Sequence, residues 1–121
     1  MTKMVLIVED NDLNLRLFED ILAAEGIATL SATSGAVVAD MAREQRPDLI
    51  LMDIQPPEIS GLEATRWVQR SEETAGIPII AITAHALPGD ERRIRAGGCT
   101  DYVAKPVLID TLVSTVKRHL N

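Results

Sequence analysis

The sequence has little of what marks secreted, membrane or nucleic-acid-binding proteins. Cys99 is the one cysteine, so no disulfide can form within the chain, which fits a reducing cytoplasm. No apolar run approaches the ~20 residues of a membrane-spanning helix, and segment 4–8 is too short for a signal-peptide core. The 12 Lys and Arg residues are outnumbered by 18 Asp and Glu residues, whereas nucleic-acid binding needs a basic surface. We therefore expect a cytoplasmic protein that neither inserts into a membrane nor binds nucleic acid.

Length and apolar patterning favour one α/β domain over residues 1–121. Runs 4–8, 49–52 and 79–82 are short, continuous and rich in Val, Ile and Leu, as in parallel strands buried on both faces. The more mixed segments 27–30 and 101–104 fit the edges of the same sheet. Helical spacing of apolar residues predicts helices over 13–24, from Thr33 or Ser34 to Gln45, 61–73, 88–96 and 109–120.

Five strand–helix pairs with short connections predict a doubly wound fold, because parallel strands need helical crossovers. The natural strand order is the flavodoxin-like 2-1-3-4-5, with helices on both faces in a three-layer sandwich. We see no linker, repeat or second domain in the sequence.

Polar residues follow four of the predicted strands. Glu9 and Asp10 follow the first strand, Asp53 the third, Thr83 the fourth and Lys105 the fifth. Each alone could be a helix N-cap or a surface residue. Ligands of open α/β sheets bind at the carboxyl ends of the strands, so five complementary groups there indicate a site.

The chemistry of these groups favours phosphoryl transfer. Adjacent carboxylates repel one another unless a cation holds them, and hard oxygen ligands with few protein contacts suit Mg²⁺. Asp53 is then a candidate nucleophile that forms an aspartyl phosphate. Mg²⁺ and Lys105 would neutralise charge, and Thr83 could donate to a phosphoryl oxygen.

Five motifs in this order resemble the receiver domain of two-component response regulators. They are Val8-Glu9-Asp10-Asn11, Leu51-Met52-Asp53-Ile54, Pro57-Glu58-Ile59-Ser60-Gly61, Thr83-Ala84 and Lys105-Pro106. The resemblance covers essentially the whole chain and is strongest to single-domain members that act in cell-cycle control. It implies a receiver domain over 1–121 without an output domain, phosphorylated on Asp53 by a histidine kinase or phosphotransfer protein.

The resemblance also implies the roles of individual residues. Mg²⁺ would be held by Glu9, Asp10, Asp53 and the backbone carbonyl of Gln55, and Thr83 and Tyr102 would form a switch. The Lys105–Pro106 bond would be cis. Pro56 departs from the family, which usually has Met or Leu there; a proline lacks an N–H and biases the residue before it toward extended geometry.

The expected output is a protein–protein contact, through the fourth predicted helix, fifth strand and fifth helix, with a kinase-like target. We expect a monomer or weak dimer that forms and hydrolyses its aspartyl phosphate but is not an enzyme in the ordinary sense. Arg92, Arg93 and Arg95 could form a docking face or a solvated one. Tyr102 could equally be an edge-strand packing residue.

Two other functions stay open. A haloacid-dehalogenase-like phosphatase would use Asp10 as nucleophile and Asp12 as acid/base, but the chain has no room for a cap domain. A phosphorylation-independent adaptor would not need the full set of site residues that this sequence retains.

Overall fold

The computed structural model describes residues 2–33, 37–54, 65–66, 68–70, 72–83 and 98–120. Within them, five strands and three helices have complete bounds: β1 (Met4–Val8), α1 (Asp12–Ala24), β2 (Ala28–Ala32), α2 (Val38–Gln45), β3 (Leu49–Ile54), β4 (Ile79–Thr83), β5 (Asp101–Ala104) and α3 (Ile109–Leu120). Residues 65–66 and 68–70 are also helical. The predicted helix over 88–96, with Arg92, Arg93 and Arg95, lies outside the described residues.

The strands form one parallel sheet in the order β2-β1-β3-β4-β5. This confirms the predicted flavodoxin-like topology, with the two mixed strands at the edges. All five residues of β4 are buried, because helices cover both faces of the sheet. In the part of the chain that the structure describes, no helix combines the length and apolarity required to cross a membrane.

Two hydrophobic clusters hold the three layers together, one on each face of the sheet. On one face, α1 and α3 pack against the sheet through buried side chains such as Phe18, Leu22, Leu112 and Val116. On the other, the packing residues are Val38, Ala42, Val68 and Cys99. Burying one such large side chain contributes about 1.5–3 kcal/mol, so the sheet and its two helix layers stabilise each other.

The helix ends agree with prediction for α1 and differ for α2. Gly26 ends α1 with φ +76°, a conformation that glycine adopts without steric cost. α2 starts at Val38, and Val37 before it makes no side-chain cap hydrogen bond, so Thr33 is not the N-cap of this helix. Ser34, the other expected N-cap, lies outside the described residues. Val38 and Ala42 are buried against the sheet, and such packing stabilises a helix more than a cap worth about 1 kcal/mol.

Candidate functional site

Strand register brings four predicted site residues to the carboxyl edge of the sheet: Glu9, Asp53, Thr83 and Lys105. Val8 pairs with Met52, so Glu9 and Asp53 follow as neighbours at the ends of β1 and β3. The Lys105 backbone N–H donates to the carbonyl of Thr83 at 2.8 Å, which extends the pairing of β5 with β4 by one residue. The Lys105–Pro106 bond is cis, as predicted.

Asp53 lies between an ammonium group and a second carboxyl group. Lys105 Nζ is 2.6 Å from Asp53 Oδ1, and the side chain of Asp53 is only 2% exposed. Glu9 is equally buried, at the end of the adjacent strand. A buried oxygen nucleophile with a fixed positive charge beside it suits a reaction in which negative charge builds up.

Contact with Asp53 changes the ionisation of Glu9. Burial, together with the hydrogen bond to Asp53 and the charge of Asp53, raises the pKa of Glu9 from 4.5 to about 7. Hydrogen bonds from Asn14 and Asn11 act in the opposite direction. The two carboxyl groups therefore share one site in which a proton or a cation relieves their repulsion.

Asn14 is a site residue that sequence reasoning missed. Its side-chain Nδ2 donates to Glu9 Oε1 at 3.2 Å, and the Asn11 backbone N–H reaches the same oxygen at 3.3 Å. The available signal was the spacing Asn11-x-x-Asn14 after the acidic pair, since Asn11 is the N-cap of α1 and Asn14 the third helical residue. A residue in the first turn of a helix can reach back to groups before the cap.

Of the three carboxylates predicted to hold a metal ion, Glu9 and Asp53 lie at neighbouring strand ends. Asp10 is exposed, and among the residues that the structure describes no three His, Cys, Asp or Glu side chains are grouped closely enough to hold one ion. Asp10 begins the turn into α1, whereas Glu9 still donates its N–H to Ala32 and so stays in the sheet. Gln55 and Pro56 lie outside the described residues. The Glu9–Asp53 pair is an all-oxygen donor set, which fits Mg²⁺.

Thr83 and Tyr102 lie on the same face of the sheet. Thr83 is 1% exposed and pairs with Ile54 and Ala104. Tyr102 pairs with Ala81, two residues before Thr83, so strand alternation puts both side chains on one face. Tyr102 is half-buried and packs against the core cluster of that face. The packing interpretation of Tyr102 is thus observed, and its role as a switch stays a prediction.

The chain belongs to the response regulator receiver domain family of two-component signalling, whose profile matches residues 5–117. It is DivK-like within that family. It is 53% identical over 120 residues to the polar-differentiation response regulator DivK of Brucella ovis, an alignment that covers 99% of this chain and 98% of that protein. DivK of Brucella anthropi is 52% identical with the same coverage.

Solved structures give the same fold. The receiver domain of sensor histidine kinase PA1611 from Pseudomonas aeruginosa PAO1 superimposes with a TM-score of 0.88 at 35% identity, covering 99% of this chain and 98% of the other. That receiver holds a magnesium ion in its active-site cleft. The receiver domain of a histidine kinase from Syntrophus aciditrophicus matches with a TM-score of 0.88 at 32% identity, covering 98% of this chain and 90% of that one. Magnesium binding therefore occurs in the family.

Proposed function

We propose that this chain is the phosphoryl acceptor of a phosphorelay and that Asp53 is its acceptor residue. The observation that carries the proposal is the buried Asp53 carboxylate with Lys105 Nζ 2.6 Å from Oδ1. A carboxylate oxygen of Asp53 attacks the phosphorus of a phosphohistidine. The P–N bond breaks, and the imidazole nitrogen of the donor keeps the electron pair. Later attack by water on phosphorus releases phosphate and regenerates the carboxylate.

The other residues of the site neutralise charge and hold the reacting groups. Lys105 offsets negative charge on the transferring phosphoryl group, and Thr83, at the adjacent strand end, can donate to one of its oxygens. Glu9, Asp10, Asp53 and the Gln55 carbonyl would hold Mg²⁺. When bound, the ion would supply positive charge to the phosphoryl oxygens and would offset the repulsion between Glu9 and Asp53.

The product of the reaction is a changed surface on the protein itself, so the chain is a signalling protein and not a turnover enzyme. Thr83 and Tyr102 lie on one face of the sheet near the acceptor. This placement supports a switch in which phosphorylation of Asp53 changes the conformation of Thr83 and then of Tyr102 in β5. The likeness to Brucella regulators named for polar differentiation supports a cytoplasmic role in cell-cycle or cell-fate control, with a kinase-like protein as target.

The donor, a histidine kinase or phosphotransfer protein, must cover the carboxyl edge of the sheet to reach Asp53. Four large apolar residues are exposed near this edge, on the first half of α1 and at the start of α3. We name them the apolar rim: Leu13, Leu17, Leu108 and Ile109.

One ion pair joins the two helices that carry the apolar rim. Lys117 of α3 pairs with Glu25 at the end of α1, and both helices pack on the same face of the sheet. Leu17 lies eight residues before Glu25, and Ile109 lies eight residues before Lys117. The two residues are therefore at similar heights along the axes of α1 and α3. Exposed apolar side chains grouped beside an acceptor site favour docking of the donor there.

Incubation with acetyl phosphate and Mg²⁺, followed by intact-mass spectrometry, tests the proposal. Wild-type protein should gain one phosphoryl group, and Asp53→Asn should gain none. Addition of EDTA should stop the labelling. Labelling that survives Asp53→Asn but is lost in Asp10→Asn would instead support the phosphatase-like alternative.

A further inference from the structure

The first turn of α1 fixes the position of Asn14 with two hydrogen bonds. Its backbone N–H donates to Oδ1 of Asn11, the N-cap residue, at 3.0 Å. Its side-chain amide donates to Glu9 Oε1 at 3.2 Å. The bond to Asn11 holds the backbone of Asn14 in the first turn of the helix. The bond to Glu9 then links the start of α1 to the end of β1.

Glu9 Oε1 accepts from two neutral donors of the same turn, the Asn14 amide and the Asn11 backbone N–H. The terminal torsion of a glutamate side chain is intrinsically broad, so the plane of its carboxyl group is set by its partners. The Glu9 carboxyl group is thus held from the α1 side, while Asp53 lies at the end of the adjacent strand. Only the Asn14 bond comes from a side chain and can be removed by substitution.

We propose that Asn14 is a positioning residue for the metal site: its amide orients the Glu9 carboxylate for Mg²⁺ without touching the ion. This inference rests on the proposed function, because it takes Glu9 and Asp53 as ligands. Loss of a hydrogen-bond partner behind a metal ligand typically weakens metal affinity about 10- to 100-fold. We expect a loss of this size when the Asn14 amide is removed.

Isothermal titration calorimetry with Mg²⁺ as the titrant measures this effect directly. Asn14→Ala and Asn14→Leu both lack the donor and should bind Mg²⁺ about 10- to 100-fold more weakly than wild type. Asn14→Gln keeps an amide donor and should recover part of the affinity. The matched control is Leu13→Ala, which removes a neutral, 80% exposed side chain from the same turn of α1 and leaves the Asn14 amide, the Asn11 cap and the backbone N–H of Asn11 in place.

A second readout separates orientation of the ligand from an effect on the chemistry. The rate of phosphorylation by acetyl phosphate should fall in Asn14→Ala at low Mg²⁺ and return to the wild-type rate when Mg²⁺ is saturating. The contact between Lys105 and Asp53 is unchanged in this variant, so the reaction on the loaded site should be unchanged too. A rate that stays low at saturating Mg²⁺ would overturn the positioning role.

The remaining outcomes are distinguishable. Wild-type protein that does not bind Mg²⁺ overturns the proposed function and this inference together. Wild-type binding with equally tight binding by both Asn14→Ala and Asn14→Leu overturns the inference alone. An equal loss of affinity in Leu13→Ala also overturns it, because a general disturbance of the helix start and not the amide would then be the cause. Thermal melts of every variant ensure that the titrations are made on folded protein.

Discussion

The carboxyl groups of Glu9 and Asp53 lie at the ends of adjacent strands, although both are almost fully buried. Burial of Glu9 disfavours its charged form, and the neighbouring Asp53 carboxylate adds to this effect, so the pKa of Glu9 rises to about 7. The folded protein therefore holds a proton that the unfolded chain, with a pKa of 4.5 for this residue, releases at lower pH. This difference couples stability to pH.

The contribution of Glu9 to stability should be lost as pH rises from about 4.5 to about 7. In this window the folded state binds more protons than the unfolded state, so the free energy of unfolding falls with pH. The loss from Glu9 should be on the order of 2–3 kcal/mol. The free energy of unfolding is measured by urea denaturation in EDTA at several pH values, for wild type and Glu9→Gln. The difference between the two proteins isolates the contribution of Glu9 from that of other titratable groups. Curves that run parallel for the two proteins would contradict the prediction.

Lys105→Met should slow phosphorylation by small-molecule donors about 100-fold, the usual effect of losing one preorganised charge partner in the transition state. Lys105→Arg should recover only part of the rate, because a planar guanidinium does not place its charge where the ammonium does. The measurement is the rate of mass increase with phosphoramidate at saturating Mg²⁺. Equal rates in wild type and Lys105→Met would show that the contact with Asp53 has no role in transfer.

The sheet could be predicted from sequence because its pattern is local. Segments 4–8 and 79–82 are continuous apolar runs, and such a run is by itself the sequence pattern of a strand that is buried on both faces. Glu9, Asp53 and Lys105 could be placed together because parallel strands end at one edge.

The burial of individual side chains and their contacts depend on three-dimensional detail that the apolar pattern of the sequence does not contain. The sequence treats Glu9 and Asp10 alike, yet one is buried and the other exposed, because sheet pairing continues through Glu9 and stops before Asp10. The contact of Asn14 depends on where α1 begins and on a side-chain rotamer. The start of α2 was set by burial of Val38 and Ala42 and not by a capping residue.

Gly98 connects the segment before β5 to the helical residues 65–66 and 68–70. It has φ +109°, its carbonyl accepts from Gln69 Nε2 at 3.2 Å, and an added Cβ would lie 3.1 Å from Thr65 Cγ2. Gly98→Ala should therefore destabilise the protein by about 1–3 kcal/mol.

Gly76→Ala is the matched control, because a Cβ there meets nothing within 4 Å and φ is not in the left-handed region. It should be neutral or stabilising by up to about 1 kcal/mol. Denaturant unfolding of both variants tests the pair. Equal stabilities would show that the backbone at Gly98 adapts without cost.

The apolar rim should matter for phosphorylation by a protein donor and not by a small molecule. Leu13 and Leu108 are 80% and 66% exposed, so truncating them removes little of the core. Leu13→Ala combined with Leu108→Ala should reduce the transfer rate from a phosphorylated histidine kinase or phosphotransfer protein at least fivefold, as loss of an interface anchor worth more than about 1 kcal/mol would. The rate with acetyl phosphate should stay at the wild-type value, because the contacts of Asp53 with Lys105 and Glu9 are untouched.

Val37→Ala is the control for this double variant. Val37 is also an exposed apolar residue, at 43%, but it caps α2 on the opposite face of the sheet from α1 and α3. Its substitution should leave both rates unchanged. If the double variant lowers both rates equally, the rim acts on the acceptor site and not on docking. If it lowers neither, the donor reaches Asp53 without contacting the rim, and its binding surface must be sought on other residues around the carboxyl edge.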